Sequence, residues 1–208
     1  MKSLPLLVAL ASLTLAGGAR AAELNGPEVS SATAASAPPS LGRAALVELV
    51  KDGKPLCGGW RPKDGSCEDI GFMEVLADGQ VAQTYRFKLS DDYEIAMRQT
   101  VKFEGNALCA EFRWEDLEVA VLREGQRAPF SESLALTAML QNSLEEFTGK
   151  TICETYQRNA ATGELTTEVT VDGERYPALD ADYRILSPGD RIHLRGPDAG
   201  PELKPLEI

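Results

Sequence analysis

The chain is poor in the residues on which most hydrolytic, redox and metal chemistry depends. It has one histidine in 208 residues, His193. A histidine–thiolate zinc site would have to be completed by that single imidazole, and no H-E-x-x-H pair is present. A Ser-His-Asp triad would have to use His193 with Asp180 or Asp190, and no G-x-S-x-G elbow accompanies it. No C-x-x-C occurs, so the usual dithiol redox motif is absent. There is no phosphate-cradling glycine loop. Asp180 and Asp182 lack the glycine and terminal glutamate of a twelve-residue calcium loop and read as a solvated turn. No motif implies a metal or a cofactor.

Cations are also scarce, 21 Lys and Arg against 32 Asp and Glu, a net charge of −11. Nucleic acid and anionic lipid both demand cationic patches, so neither is expected as a partner. The acidic surface suits solubility or a cationic protein partner.

One apolar run stands out, Leu4 to Leu15, and it is too short to span a bilayer. Lys2 precedes it and Ala19-Arg20-Ala21 follows, the small-x-small pattern of a signal peptidase site. Residues 1–21 therefore read as a signal peptide cut near Ala21/Ala22, with no cysteine beside the cut to carry a lipid. Its removal takes away Lys2 and Arg20 but no acid, so −11 becomes −13. The expected address is the periplasm, with no membrane span in the mature chain.

All four cysteines, Cys57, Cys67, Cys109 and Cys153, lie in the exported part. An even count in an oxidising compartment reads as two disulfides. The short Gly- and Pro-rich segment between Cys57 and Cys67 is the natural one to staple, which leaves Cys109 with Cys153.

Residues 22–43, rich in Ala, Ser and Pro, read as a flexible leader, 44–195 as a single β-rich domain, and 196–208 as an irregular tail. Alternation dominates the domain. Val81, Tyr85, Phe87 and Leu89 oppose Thr84, Arg86 and Lys88, and Ile95, Met97, Val101 and Phe103 oppose Glu94, Arg98, Thr100 and Lys102. Leu108, Ala110, Phe112 and Trp114 follow, then Leu117, Val119 and Val121. Cys109 and Cys153 share the parity of polar neighbours, which sets their bridge on the face away from the main core.

Gly- and Asp-rich turns separate the strands, Asp172-Gly173 being the cleanest hairpin signal. At Leu136, Met139, Leu140, Leu144 and Phe147 the period becomes helical. The pattern predicts one amphipathic helix near 132–148, capped by Ser131 and ended by Gly149. Further strands are expected at 151–157, 164–171, 174–176, 183–186 and 191–194. An internal echo relates Phe103-x-Gly105-x-x-x-Cys109 to Phe147-x-Gly149-x-x-x-Cys153, continuing to Gly125, Arg127 and Pro129 against Gly173, Arg175 and Pro177.

The fold class expected is mainly β (α+β). It is an antiparallel meander of about ten strands forming a barrel-like or curved sheet with one packed helix; a two-sheet sandwich is the alternative. Two clusters are candidate binding elements. Trp60, Arg61 and Lys63 sit in the stapled loop, where restriction lowers the ordering cost of binding. Arg191, His193 and Arg195 share one face of a strand as a cationic stripe fit for an anion. No catalytic residue is singled out.

These features favour an exported, disulfide-stapled, non-enzymatic envelope protein that binds a protein partner or a small apolar ligand. A dry cavity lined by Tyr85, Met97, Phe112 and Val121 would favour carriage of the ligand. The alternative is a periplasmic hydrolase of an envelope polymer, using two carboxylates about 5–10 Å apart.

Overall fold

The computed structural model describes residues 40–51, 53–187, 190 and 192–196. Chain order is α1 (Arg43–Val50), β1 (Leu56–Gly58), β2 (Ser66–Cys67), β3 (Asp69–Val75), β4 (Val81–Lys88), β5 (Tyr93–Glu104) and β6 (Ala107–Glu111). There follow β7 (Glu118–Arg123), β8 (Gln126–Arg127), α2 (Phe130–Leu144), β9 (Thr151–Arg158), β10 (Leu165–Val171), β11 (Glu174–Arg175), β12 (Asp182–Ile185) and β13 (His193–Leu194). Eight antiparallel strands close on themselves in the order β3, β4, β5, β6, β9, β10, β12, β1 and back to β3. The architecture is a closed barrel rather than a sandwich.

Closure follows from the long strand β5. Its residues 94–101 pair with β4 on one side. On the other side Lys102–Glu104 pair with β6 and Tyr93–Arg98 with β7, so β6 and β7 share one edge of it. The parity seen in the sequence is the inside–outside parity of the barrel. Val81, Phe87, Ile95, Met97, Val101, Leu108 and Phe112 are buried, and intervening residues such as Arg86, Arg98 and Lys102 reach solvent.

Each end of the barrel has its own apolar cluster. At one end Leu46 and Val50 of α1 pack on Leu56, Met73, Val81, Val101, Leu108, Tyr156, Leu165 and Tyr183. At the other, Leu140 and Leu144 of α2 and Phe147 pack on Phe87, Ile95, Phe112, Val121, Ile152 and Val171. Phe147 makes edge-on contacts with Phe112 and Tyr176 at centroid distances of 6.5 and 5.8 Å.

α2 begins at Phe130, two residues before the expected start. Pro129 occupies the cap position, and Ser133 N–H donates to its carbonyl at 2.9 Å. Proline has no N–H to satisfy and a φ suited to helix entry, so the helix starts directly after it and Ser131 lies in the first turn. The far end is a 3-10 turn, Glu145–Phe147, and Gly149 takes φ +76°.

Part of the segment assigned to the leader is held in the fold. Ser40 bridges Gln157, Leu41 N–H donates to Tyr156 O at 2.6 Å, and Arg43 opens α1. The signal at 1–21, the leader through residue 39 and the tail from 197 lie outside the described residues.

The internal echo has a structural counterpart. Glu124-Gly125 and Asp172-Gly173 both take positive φ at both positions, giving primed two-residue hairpins. Beyond each, the same backbone bond recurs, Ala128 N–H to Val121 O and Tyr176 N–H to Val169 O. A helical segment then follows Pro129 and Pro177 alike.

The two disulfides join Cys57 to Cys67 and Cys109 to Cys153. Cys109 and Cys153 face each other directly across β6 and β9, between the inward residues Leu108, Ile152 and Glu154, so the bridge lies on the outer parity of the barrel wall. Glu104 lies beside these sulfurs, but a disulfide has no thiolate to offer a metal. Two disulfides fit an oxidising compartment. Among the described residues no helix is long and apolar enough to cross a membrane.

Candidate functional site

The loop between Cys57 and Cys67 folds back as a lobe on the outside of the barrel. β2 within it pairs in parallel with β13, setting His193 against Ser66 and Leu194 against Cys67. Its small core holds Cys57, Cys67, Ile70, Leu186 and Leu194, with Trp60, Phe72 and Ile192 packed at its margin. Asp64 accepts from Ser66 Oγ at 2.6 Å and from Ser66 N–H at 3.1 Å, which turns the tip, and the Ser66 bonds lower the Asp64 pKa.

Trp60, Arg61, Lys63, His193 and Arg195 are thereby brought onto one lobe, while Arg191 lies outside the described residues. Their roles diverge. The Arg195 guanidinium donates to Gly59 O at 2.7 Å and pairs with the Glu68 carboxylate, and its side chain is 11% exposed. It ties β13 to the lobe. His193 is exposed on the parallel pairing with β2.

Trp60 is half-buried, and the Arg184 guanidinium lies 4.6 Å from its ring centroid. The indole N–H is buried without an acceptor among the described residues. Arg61 bridges Ser66 beside it, and Lys63 is exposed at the tip. Sequence reasoning missed Arg184, whose strand carried no motif.

A second cluster lies in the barrel interior, in a polar layer between the two apolar ends. Glu154 Oε2 accepts from Tyr156 OH at 2.7 Å, Gln83 Nε2 at 3.0 Å and Tyr85 OH at 3.4 Å. Gln99 Nε2 in turn donates to Gln83 Oε1 at 3.0 Å. Burial raises the Glu154 pKa against the lowering effect of these donors. Burial likewise pushes the Tyr85, Tyr156 and Tyr183 phenols well above their ordinary range.

Asp69 is the outlier of that interior. It is 2% exposed, and among the described residues neither carboxylate oxygen has a hydrogen-bond partner. Burial first, then the neighbouring Glu68 charge, pushes its pKa up to about 8, while Arg195 opposes. Gly58 and Gly59 make room for this pair of acids. A Cβ on Gly58 would sit 2.0 Å from Asp69 Oδ2, and one on Gly59 would sit 2.6 Å from the Glu68 carboxyl while straining a φ of +57°.

The polar layer had a signal in the sequence. Gln83 and Gln99 are the gaps in the apolar faces of β4 and β5, and the register sets them opposite each other. Glu154 falls between Ile152 and Tyr156 on the inward parity of β9.

The interior is filled. Tyr85, Met97 and Phe112 point into it, and Val121 packs under α2. The space enclosed beside Gln83, Gln99 and Glu154 is about 10 Å³, room for one water. Outside, an open groove of about 450 Å³ runs between α1 and strands β3 and β4, lined in part by Val47, Val50, Phe72, Met73 and Val75. No family model, curated protein or solved structure matches the chain.

Proposed function

We propose that this is an exported, non-enzymatic binding protein that uses the closed barrel as a rigid support and recognises a protein partner at the stapled lobe. The observation that carries this reading is the Trp60–Arg184 stack on a lobe held by a disulfide and by the Arg195–Glu68 pair. An aromatic anchor beside arginine, fixed before the partner arrives, is the composition of interface hot spots. The indole N–H without an acceptor is the kind of cost a fold bears at a working surface.

The partner chemistry follows from local charge rather than from the net charge of −11. Lys63 on the lobe and Arg184 beside it outnumber Asp64, and Glu68 and Arg195 neutralise each other. The complement of this surface is an acidic, acceptor-rich segment, whereas the wider acidic surface would suit a cationic one.

The hydrolase alternative finds no support in the acids that burial perturbs. Asp69 and Glu154 lie inside the barrel wall, where a polymer has no access. A small apolar ligand has one specific observation in its favour, the groove beside α1, whose volume is that of an ordinary ligand site.

A photo-crosslinking residue at Lys63, introduced in the producing cell, tests the main reading. It should yield one discrete adduct that disappears in the Trp60→Ala variant, while the same probe at Thr162 yields none. An adduct indifferent to Trp60, or none at Lys63, would sink the assignment.

A further inference from the structure

The second helix carries an outer face that the described residues leave uncovered. Within α2 there is no Lys, Arg or Asp and a single Glu, Glu132, which accepts from Tyr93 OH at 2.8 Å and pairs with Arg123 at 3.3 Å. At 100° per residue, Phe130, Leu134 and Ala138 share one side, flanked by Ser131, Ala135, Gln141 and Asn142. All seven are exposed, Phe130 to 82% and Leu134 to 59%, whereas Leu140 and Leu144 face the core. An apolar, uncharged stripe on so acidic a chain is a surface at which two copies can meet without like-charge repulsion.

We propose that this face pairs with the same face of a second copy, the two α2 helices running antiparallel about a two-fold axis at the level of residue 136. The charges next to the stripe select this arrangement. Arg127 lies just before the helix and Glu145 just after it, both exposed. In the antiparallel register Leu134 meets Ala138 and Phe130 meets Asn142, and the end of α2 that follows Arg127 comes to the end that precedes Glu145 of the second copy. A parallel pairing would instead set Glu145 against Glu145 and Arg127 against Arg127. Ala135 and Ala138 are small enough to let the helices approach closely, and the contact is isologous, so it closes at a dimer.

The stripe is one face of a helix roughly 22 Å long. That is well short of the about 800 Å² per partner of a standard interface, so the dimer is weak and its dissociation constant lies in the micromolar range or above. The pairing rests on α2 and its flanking charges and not on the lobe or its partner.

Sedimentation velocity on the mature chain, from about 5 to 500 µM, tests the pairing. Wild type should shift from monomer toward dimer across that range, and Leu134→Glu should weaken association at least tenfold. Arg127→Glu and Glu145→Arg should each weaken it, and their combination in one chain should restore it. Because Leu134 is largely exposed, the Leu134→Glu chain should keep its circular dichroism spectrum and melting temperature. A monomer throughout the range, association indifferent to Leu134→Glu, or a double charge swap no better than either single one would each overturn the proposal.

Discussion

Replacing Asp69 by Asn should make the barrel increasingly more stable as pH rises and leave it unchanged only near about pH 3.5. The native carboxyl has a pKa of about 8 against an ordinary 3.8. Between those values the folded chain holds a proton that the unfolded chain has lost, so stability falls as pH rises through the window. At about 1.4 kcal/mol per unit the whole window is worth on the order of 5 kcal/mol, a large share of the roughly 5–15 kcal/mol that holds a domain together.

The structure says why nothing offsets that loss. The carboxylate oxygens meet no donor, the facing strand contributes only Gly58, and Arg195 is engaged with Glu68 on the outer side. Asn has nearly the shape of a protonated carboxyl, so the two proteins should agree only below the ordinary value of 3.8, and at pH 5 the variant should already be about 1–2 kcal/mol the more stable. By pH 9 the variant should be several kcal/mol the more stable. Glu154, also raised, adds a slope of the same sign to both proteins, and the difference between them isolates Asp69. Guanidinium unfolding followed by tryptophan fluorescence, at intervals from about pH 3.5 to 9, gives that difference. Parallel profiles for the two proteins would refute the reasoning.

The other expectations concern the covalent and ionic ties. Replacing both Cys109 and Cys153 by Ala removes a bridge with a sequence separation of 44, against 10 for Cys57 and Cys67. Chain entropy then assigns about 4 kcal/mol to the first and about 3 to the second, so denaturant midpoints should fall further for the first pair. Arg195→Ala leaves the half-buried Glu68 carboxylate and the Gly59 carbonyl without this donor, while Ser66 O keeps the Arg61 N–H, and should cost about 2–3 kcal/mol. Its readout is a lower melting temperature with faster proteolysis between residues 187 and 196; an unchanged melting temperature would mean that Arg195 is not the tie that holds β13.

How much of this was legible in the chain depends on the range of the signal. β4 through β7, α2, β9 and β10 were readable because their apolar residues repeat at two or at about 3.6 within each segment. α1 and β1–β3 were not, since they are short or carry glycine and acids on both parities, as in Asp69-Ile70-Gly71-Phe72-Met73-Glu74-Val75. The disulfide pairing was legible because one spacing was short and the other pair was left over. On the stapled loop, Trp60 and Lys63 could be named in advance. Arg195 could be named but not understood, because its partner Glu68 lies 127 residues away.

The sequence by itself determined which strands have a dry face, where the turns fall and which cysteines are joined, all properties of neighbours along the chain. Tertiary structure alone decided that the sheet closes, since that depends on β4 and β6 both finding β5 and on β1 returning to β3. Closure in turn fixed the chemistry of the interior. Asp69, Gln83, Gln99 and Glu154 are ordinary polar residues in four separate segments. They become a desolvated layer with a shifted pKa once a continuous wall removes water from around all four at once.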